Sequence, residues 1–197
     1  MYNDCGIRLT SDYKSKVSLI EVSVSMVYLE SSDKILNQLV GLADNDLFNK
    51  AIDRALQLLD NVGIFADKNR IRFELVTREK MDTHGTSYVG LHFNLGFCSK
   101  IWVVENHSLL YTISVLAHEI GHAWICQNKI NVTEVENEGF CQVLSYYVLS
   151  TEFSKDGNRE ADLVRNFADE VYGDGFRLMQ RKLDCLGWKQ FVMLLRF

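Results

Sequence analysis

The sequence predicts an α+β protein in which a strand-rich N-terminal half precedes a helical C-terminal half. Before residue 105, apolar and polar residues alternate in several segments, which is typical of half-buried strands. After residue 105, apolar residues recur at the spacing of an amphipathic helix. Because strands and helices occupy separate parts of the chain, we expect segregated layers rather than repeated βαβ units.

The first 45 residues are expected to form an extension in front of a main domain at residues 46–197. Residues 17–30 alternate between apolar and polar side chains, which predicts a strand with one buried face. Residues 33–42 predict a short amphipathic helix. The whole chain of 197 residues has a length that suits one domain with a short appendage.

The first part of the main domain predicts one helix followed by strands. Apolar residues recur at helical spacing from about residue 46, and Gly63 is expected to close that helix. Alternation predicts a strand over residues 70–77, and an apolar run predicts another over residues 100–105. Residues 82–99 between them are rich in Gly, His, Asn and Ser and predict a loop or a bent hairpin.

The C-terminal part predicts only helices. Asn106 or Ser108 caps a long helix that ends near Gln127. Thr133 and Glu136 form a capping box, which predicts a second helix to about residue 149. Further helices are predicted near residues 159–172 and 174–186, and from residue 189 to residue 197.

Composition and charge exclude several classes of protein. The chain is 47% hydrophobic and 24% charged, which suits a globular core. Its net charge of −5, without a basic run, argues against nucleic acid and anionic membranes as partners. Its first residues lack the apolar stretch of an export signal, and its five cysteines are odd in number, without a C-x-x-C pair. We therefore expect reduced thiols and a cytoplasmic location, with no span of a bilayer.

Residues 118–122 read HEIGH, a His-Glu-x-x-His pattern that predicts a zinc site on a helix. His118 and His122 are four residues apart and lie on one helical face, so both rings can reach the same metal. Catalytic zinc needs a third protein ligand and one open position. The next helix offers Glu134, Glu136 and Glu138, of which the first two are expected to serve the helix N-terminus. Glu138 is therefore our predicted third ligand.

This ligand set predicts a mechanism. Zinc would lower the pKa of a water in its fourth position, and Glu119 would take the proton of that water as general base and pass it to the leaving amine. An extended peptide is expected to pair with the strand at residues 101–104, just before the helix. The sequence therefore predicts a zinc-dependent peptidase that acts on a protein or peptide substrate.

Two flanking blocks resemble a known family. Residues 116–124 read LAHEIGHAW and residues 135–144 read VENEGFCQVL, which is similar to the DA-one peptidase domain. Its pattern is L-A-H-E-x-x-H-A-W followed by E-E-G-x-C-Q-V-L. Residues 172–177, YGDGFR, resemble a later block of small bacterial members. Asn137 departs from the pattern, because the family has glutamate there.

The resemblance implies a zincin-like fold and a gluzincin-type endopeptidase with one zinc ion between the strand-rich and helical halves. It implies that Glu138 is the third ligand. Gluzincins also use a Tyr or His to stabilise the oxyanion, and Tyr172 is the candidate here, although it could equally be a core aromatic. A ubiquitin-pathway partner is implied by the resemblance alone.

Two other functions fit the same residues less well. A non-catalytic protein-interaction module could keep the fold and the metal, but such a module has no use for a general base at Glu119. A structural zinc domain would need a closed, four-ligand site, and no fourth ligand is fixed by the pattern.

Overall fold

The structure is a computed structural model that describes residues 5–6, 45–85, 88–152 and 156–196. Its helices are α1 (Asn45–Asp60), α2 (Arg78–Asp82), α3 (Leu109–Gln127), α4 (Glu134–Glu152), α5 (Asp156–Arg165) and α6 (Tyr172–Arg196). Its strands are β1 (Cys5–Gly6), β2 (Ile71–Val76), β3 (Gly90–Asn94) and β4 (Ser99–Val104). The predicted α+β class is confirmed, with a small sheet and a larger helical part.

The four strands form one sheet in the order β1-β3-β4-β2. Strands β3 and β4 form an antiparallel hairpin, whereas β2 pairs with β4 in parallel. The predicted bent hairpin within residues 82–99 is therefore confirmed in part, because β3 lies there. The expectation that residues 101–104 offer an edge to a peptide is wrong, since β4 is paired on both sides. The outer edge next to the hairpin belongs to β3, where the antiparallel β1 pairs with it.

Helix α3 is the centre of the fold. Ser108 caps it, because the Ser108 hydroxyl accepts from the backbone N–H of Tyr111. Every residue from Thr112 to Ile125 is buried, as expected for a helix that is apolar all round. One side of α3 packs on the sheet, and other sides contact α1 and α4. Residues of α3 that carry chemistry therefore lie away from solvent.

The two faces of the sheet differ. Ile101 and Val103 of β4 face α3 and belong to the main core. Trp102 and Val104 face the opposite side, where they form a smaller cluster with Met81 of α2. This alternation follows from the two-residue period of a strand, and it places the residues of β3 that pair with Ile101 and Val103 against α3.

The C-terminal helices follow the prediction with one correction. The helix predicted for residues 159–172 ends at Arg165, and the next helix begins at Tyr172. The Asp169 carboxylate accepts from the backbone N–H groups of Val171 and Tyr172 at 2.9 and 2.8 Å, which is the bonding of an N-terminal cap. Helix α6 is interrupted at Gly187, whose φ is 70°, so the predicted division between the last two helices is confirmed.

The strand predicted for residues 17–30 and the helix predicted for residues 33–42 lie outside the described residues. The division of the chain after residue 45 therefore stays a prediction. None of the described helices combines the length and the apolar character that crossing a membrane requires.

Candidate metal centre

His118 and His122 lie one turn apart on α3 and face the same point. Their Nε2 atoms are 3.0 Å apart, and both side chains are almost fully buried. This arrangement follows directly from the i, i+4 spacing on a helix. It makes α3 the first of two helices that form the centre.

Glu138 comes to the same point from α4. Its Oε2 atom lies 3.2 Å from Nε2 of His118 and 3.6 Å from Nε2 of His122. Three donor atoms from two helices therefore lie 3.0 to 3.6 Å from one another. Ligands of a tetrahedral zinc ion, each about 2.1 Å from the metal, are about 3.4 Å apart. The three atoms thus have the spacing that a single zinc ion would need.

Glycines allow the helices to approach closely enough for this convergence. A Cβ atom at Gly121 of α3 would lie 2.9 Å from Sγ of Cys141 on α4. A Cβ atom at Gly139, next to Glu138, would overlap the backbone of Gly175 in α6. A side chain at either position would push α4 away from its neighbours, so these glycines set the position of the Glu138 carboxylate.

The protons of the site indicate that a cation belongs there. Nδ1 of His122 lies 3.0 Å from Oδ1 of Asn137, an acceptor, so this nitrogen carries the proton. When His122 is neutral, as it must be to bind a metal, the lone pair of its Nε2 atom faces the lone pairs of Nε2 of His118 and Oε2 of Glu138. Among the described residues, no hydrogen-bond donor satisfies Oε2 of Glu138. Three buried acceptors that face one another repel unless a cation lies between them.

Glu138 is the negative member of this group. Burial alone would raise its pKa, but His122 and His118 outweigh burial and hold the pKa of Glu138 at about 2. The carboxylate is therefore charged at neutral pH, as a metal ligand must be. Burial lowers the pKa of His122, but nearby Cys141 and Glu138 outweigh burial and raise that pKa well above its usual value, so His122 carries the balancing proton when no metal is bound.

Cys141 lies beside the centre and was not predicted as a ligand. The ligand atoms of His118, His122 and Cys141 lie within 4.8 Å of one another, so this buried group could hold a metal ion. However, Sγ of Cys141 lies 3.4 Å from Nδ1 of His122, on the opposite side of the ring from Nε2. Burial raises the pKa of the Cys141 thiol to about 12, which keeps it protonated. The geometry therefore fits Glu138 better than Cys141 as the third donor, with the thiol supporting the ring of His122.

Glu119 lies next to the three donors and has an unusual environment. It is fully buried, and neither of its carboxylate oxygens has a hydrogen-bond partner among the described residues. Burial, with a further contribution from Glu138, raises the pKa of Glu119 to about 8, against the opposing effect of His122. Gly90 of β3 leaves room for it, since a Cβ atom there would lie 2.5 Å from Oε1 of Glu119. A buried carboxyl with a strongly shifted pKa is a candidate acid–base group.

The two other glutamates of α4 behave differently from Glu138. The carboxylate of Glu136 accepts from the backbone N–H and the hydroxyl of Thr133, which is the predicted capping box. It also pairs with Lys182 of α6 at 2.9 Å. Glu134 is exposed in the first turn of the helix. Neither residue takes part in the centre.

Tyr172 is the first residue of α6 and is half-buried. It lies three residues before Gly175, whose backbone contacts Gly139 beside Glu138. The start of α6 therefore touches the helix that carries the candidate third donor. Arg177, in the same segment, pairs with Asp174 at 2.5 Å, as local ion pairs commonly do.

Sequence reasoning missed His92, which the structure places against the centre. The ring of His92 stacks on the ring of His122 with centroids 6.0 Å apart. His92 lies in a segment that reads as a loop, and nothing in its local sequence indicates its neighbour. Only the pairing of β3 with β4 brings it to α3.

The comparisons with known proteins agree with the sequence resemblance. The family model described as DA1-like, Protein DA1, matches residues 98–162. No curated protein and no solved structure matches the chain. The matched segment contains β4, α3 and α4, and with them His118, Glu119, His122 and Glu138. This segment, which carries the candidate metal centre, is therefore similar to the DA1-like family.

Proposed function

We propose that this protein is a zinc-dependent peptidase in which His118, His122 and Glu138 hold the metal and Glu119 is the general base. The observation that carries the proposal is the fully buried Glu119 carboxyl, unpaired among the described residues, beside three convergent donor atoms. A structural metal site has no need of such a carboxyl, because an unpaired buried carboxyl destabilises the fold. A hydrolytic site does need one.

Zinc, when bound, would supply Lewis acidity, which lowers the pKa of water and polarises a substrate carbonyl. The protein's own residues supply the proton transfers. Glu119 accepts the proton of the attacking water and later donates it to the amine of the cleaved peptide bond. Its pKa of about 8 without metal makes it a better base than an ordinary glutamate, and a bound cation would lower that pKa toward neutrality.

A peptide substrate is proposed to displace β1 and to bind in its place along the outer edge of β3. Gly90 and His92 of this strand lie against Glu119 and His122, so the edge passes directly beside the centre. The pairing of Cys5 with His92 and of Gly6 with Leu91 shows that this edge accepts an antiparallel strand. A substrate strand that took the place of β1 at these positions would have a peptide bond near Glu119.

Tyr172 is retained as a candidate for oxyanion stabilisation, because α6 begins close to the helix that carries Glu138. A cytoplasmic location and a ubiquitin-pathway partner follow from the sequence and the family resemblance, and both are part of the proposal. The alternative is a non-catalytic interaction module that binds the metal with the same ligands.

The test is a comparison of wild type with Glu119→Gln and His118→Ala. Wild type should contain about one zinc per chain by elemental analysis and cleave unfolded protein substrates. Glu119→Gln should keep the zinc and lose activity by about 1000-fold or more, because the side-chain amide of glutamine cannot accept the proton of the attacking water. His118→Ala should lose both.

Two outcomes would contradict the proposal. A wild-type protein that is folded and binds no zinc would remove the metal centre. A fully zinc-loaded wild type that cleaves no protein substrate, itself included, would support the interaction module instead.

A further inference from the structure

His92 is a buried polar residue that the proposed reaction does not use. It is 2% exposed and lies on the face of β3 that packs against α3. Its ring is nearly parallel to that of His122, with an angle of 23° between the planes and 6.0 Å between the centroids. His92 is therefore the residue of the sheet that stacks on a candidate metal ligand.

Ser99 fixes the ring of His92. The Oγ atom of Ser99 lies 2.9 Å from Nε2 of His92, and Ser99 is 3% exposed. The two residues are diagonal neighbours in the hairpin, since His92 pairs with Ile101 and Asn94 pairs with Ser99. A buried hydrogen bond of this kind defines the rotation of the His92 ring, which packing alone would leave free to flip.

Other residues contact the edges of the His122 ring, and the ring of His118 meets it nearly perpendicularly, with 4.8 Å between the centroids. Asn137 and Cys141 of α4 approach Nδ1 at 3.0 and 3.4 Å. These contacts choose the tautomer and aim Nε2 along the plane of the ring. Among the ring contacts of His122, the ring of His92 is the one that lies nearly parallel to its plane.

We infer that His92, held by Ser99, is a positioning residue that fixes the plane of His122 for metal binding. This inference rests on the proposed function in that it takes His122 as a zinc ligand. A phenylalanine at position 92 would fill the same space without burying polar atoms. An apolar ring could not form the hydrogen bond to Ser99. The His92–Ser99 pair therefore gives a ring whose orientation is set by the sheet.

The test compares Ser99→Ala with Ser145→Ala. The second variant is a matched control, because Ser145 is also a buried serine whose hydroxyl donates to a backbone oxygen, that of Ser114 on α3. Zinc affinity is measured by chelator competition, and the geometry of the site is followed by the visible absorption of the cobalt-substituted protein. Thermal unfolding of the metal-free variants reports their stability separately.

We expect Ser99→Ala to weaken zinc binding about 10-fold and to shift the cobalt spectrum. Ser145→Ala should lower the thermal stability about as much as Ser99→Ala does, and it should leave the zinc affinity and the cobalt spectrum unchanged. Ser99→Thr, which keeps the hydroxyl, should retain the zinc affinity and the cobalt spectrum of wild type. His92→Phe should shift the cobalt spectrum even if its packing is intact.

Equal zinc affinities and equal cobalt spectra for Ser99→Ala, Ser145→Ala and wild type would overturn the inference. That result would leave the proposed peptidase untouched, since wild type would still bind zinc and cleave its substrate. Conversely, a wild type without peptidase activity whose zinc affinity falls in Ser99→Ala would support the inference while the proposed function fails.

Discussion

The two faces of the sheet give a glutamate opposite surroundings. On the outer face, Glu74 of β2 accepts a hydrogen bond from the indole of Trp102 at 2.9 Å and pairs with Arg72, Lys80 and Lys100. On the inner face, the carboxyl of Glu119 is buried beside β3 and has no hydrogen-bond partner among the described residues. The two carboxyl groups lie on either side of one sheet.

Their pKa values follow from these surroundings. Burial would raise the pKa of Glu74, but the Trp102 hydrogen bond and the nearby lysine and arginine charges lower it overall. Burial raises the pKa of Glu119 to about 8 because nothing offsets it sufficiently. The outer cluster is thus organised for stability, whereas the inner one tolerates an unfavourable group, which is common where a residue serves chemistry rather than folding.

The largest expected effect comes from removing the charge that would hold a metal beside Glu119. Glu138→Ala should weaken zinc binding by about 1000-fold or more, because one of three ligands and the only anionic one is lost. Chelator competition measures the affinity. Glu136→Ala is the control two residues away, and it should keep the zinc while losing about 1 kcal/mol of stability with its capping box. Equal zinc affinities in the two variants would exclude Glu138 as a ligand.

The second prediction compares Glu119 with Glu74 directly, in the metal-free protein. Since the folded pKa of Glu119 lies above its unfolded value, the folded state holds a proton that the unfolded state releases, and stability falls as pH rises from about 4.5 to 8. Glu119→Gln should therefore stabilise the metal-free protein at pH 8 by about 4 kcal/mol. Glu74→Gln should have the opposite sign and cost about 1 kcal/mol.

Urea unfolding of the two variants at pH 5 and pH 8 provides the measurement. The gain from Glu119→Gln should shrink at the lower pH, because pH 5 lies only slightly above the unfolded pKa of about 4.5 and far below the folded pKa of about 8. A loss of stability in both variants at pH 8 would mean that Glu119 is as well accommodated as Glu74.

The smallest effect concerns the space that β3 leaves for Glu119. Gly90→Ala would place a Cβ atom 2.5 Å from Oε1 of Glu119 and 2.6 Å from Cγ1 of Val115. Displacement of the carboxyl should lower the rate of peptide cleavage about 10-fold with zinc content unchanged. Gly96→Ala is the control, because its φ of 84° strains any side chain while a Cβ there contacts nothing. A loss of activity in Gly96→Ala equal to that in Gly90→Ala would show that strain in the hairpin, rather than contact with Glu119, is responsible.

Most of the helices could be predicted because their signals are local. The caps at Ser108 and Thr133 and the break at Gly187 depend on residues within one turn. The one misplaced boundary, at Arg165, also has a local cause in Asp169, but an aspartate is common inside helices as well and is ambiguous from sequence alone. Strand pairing was harder to predict from the sequence, since the parallel pairing of β2 with β4 joins residues far apart in the chain.

The sequence by itself predicted that His118 and His122 lie on one face of α3, because residues four apart on a helix point the same way. It also placed Glu119 on the same helix, next to His118. It also indicated Glu138, through its place in α4 and through the family resemblance. Only the tertiary structure decided that β3 rather than β4 borders the centre, that His92 stacks on His122, and that Glu119 lies unpaired among the described residues. Those features depend on which strand packs on which helix and on how closely glycines let them approach, and neither is written in any local pattern.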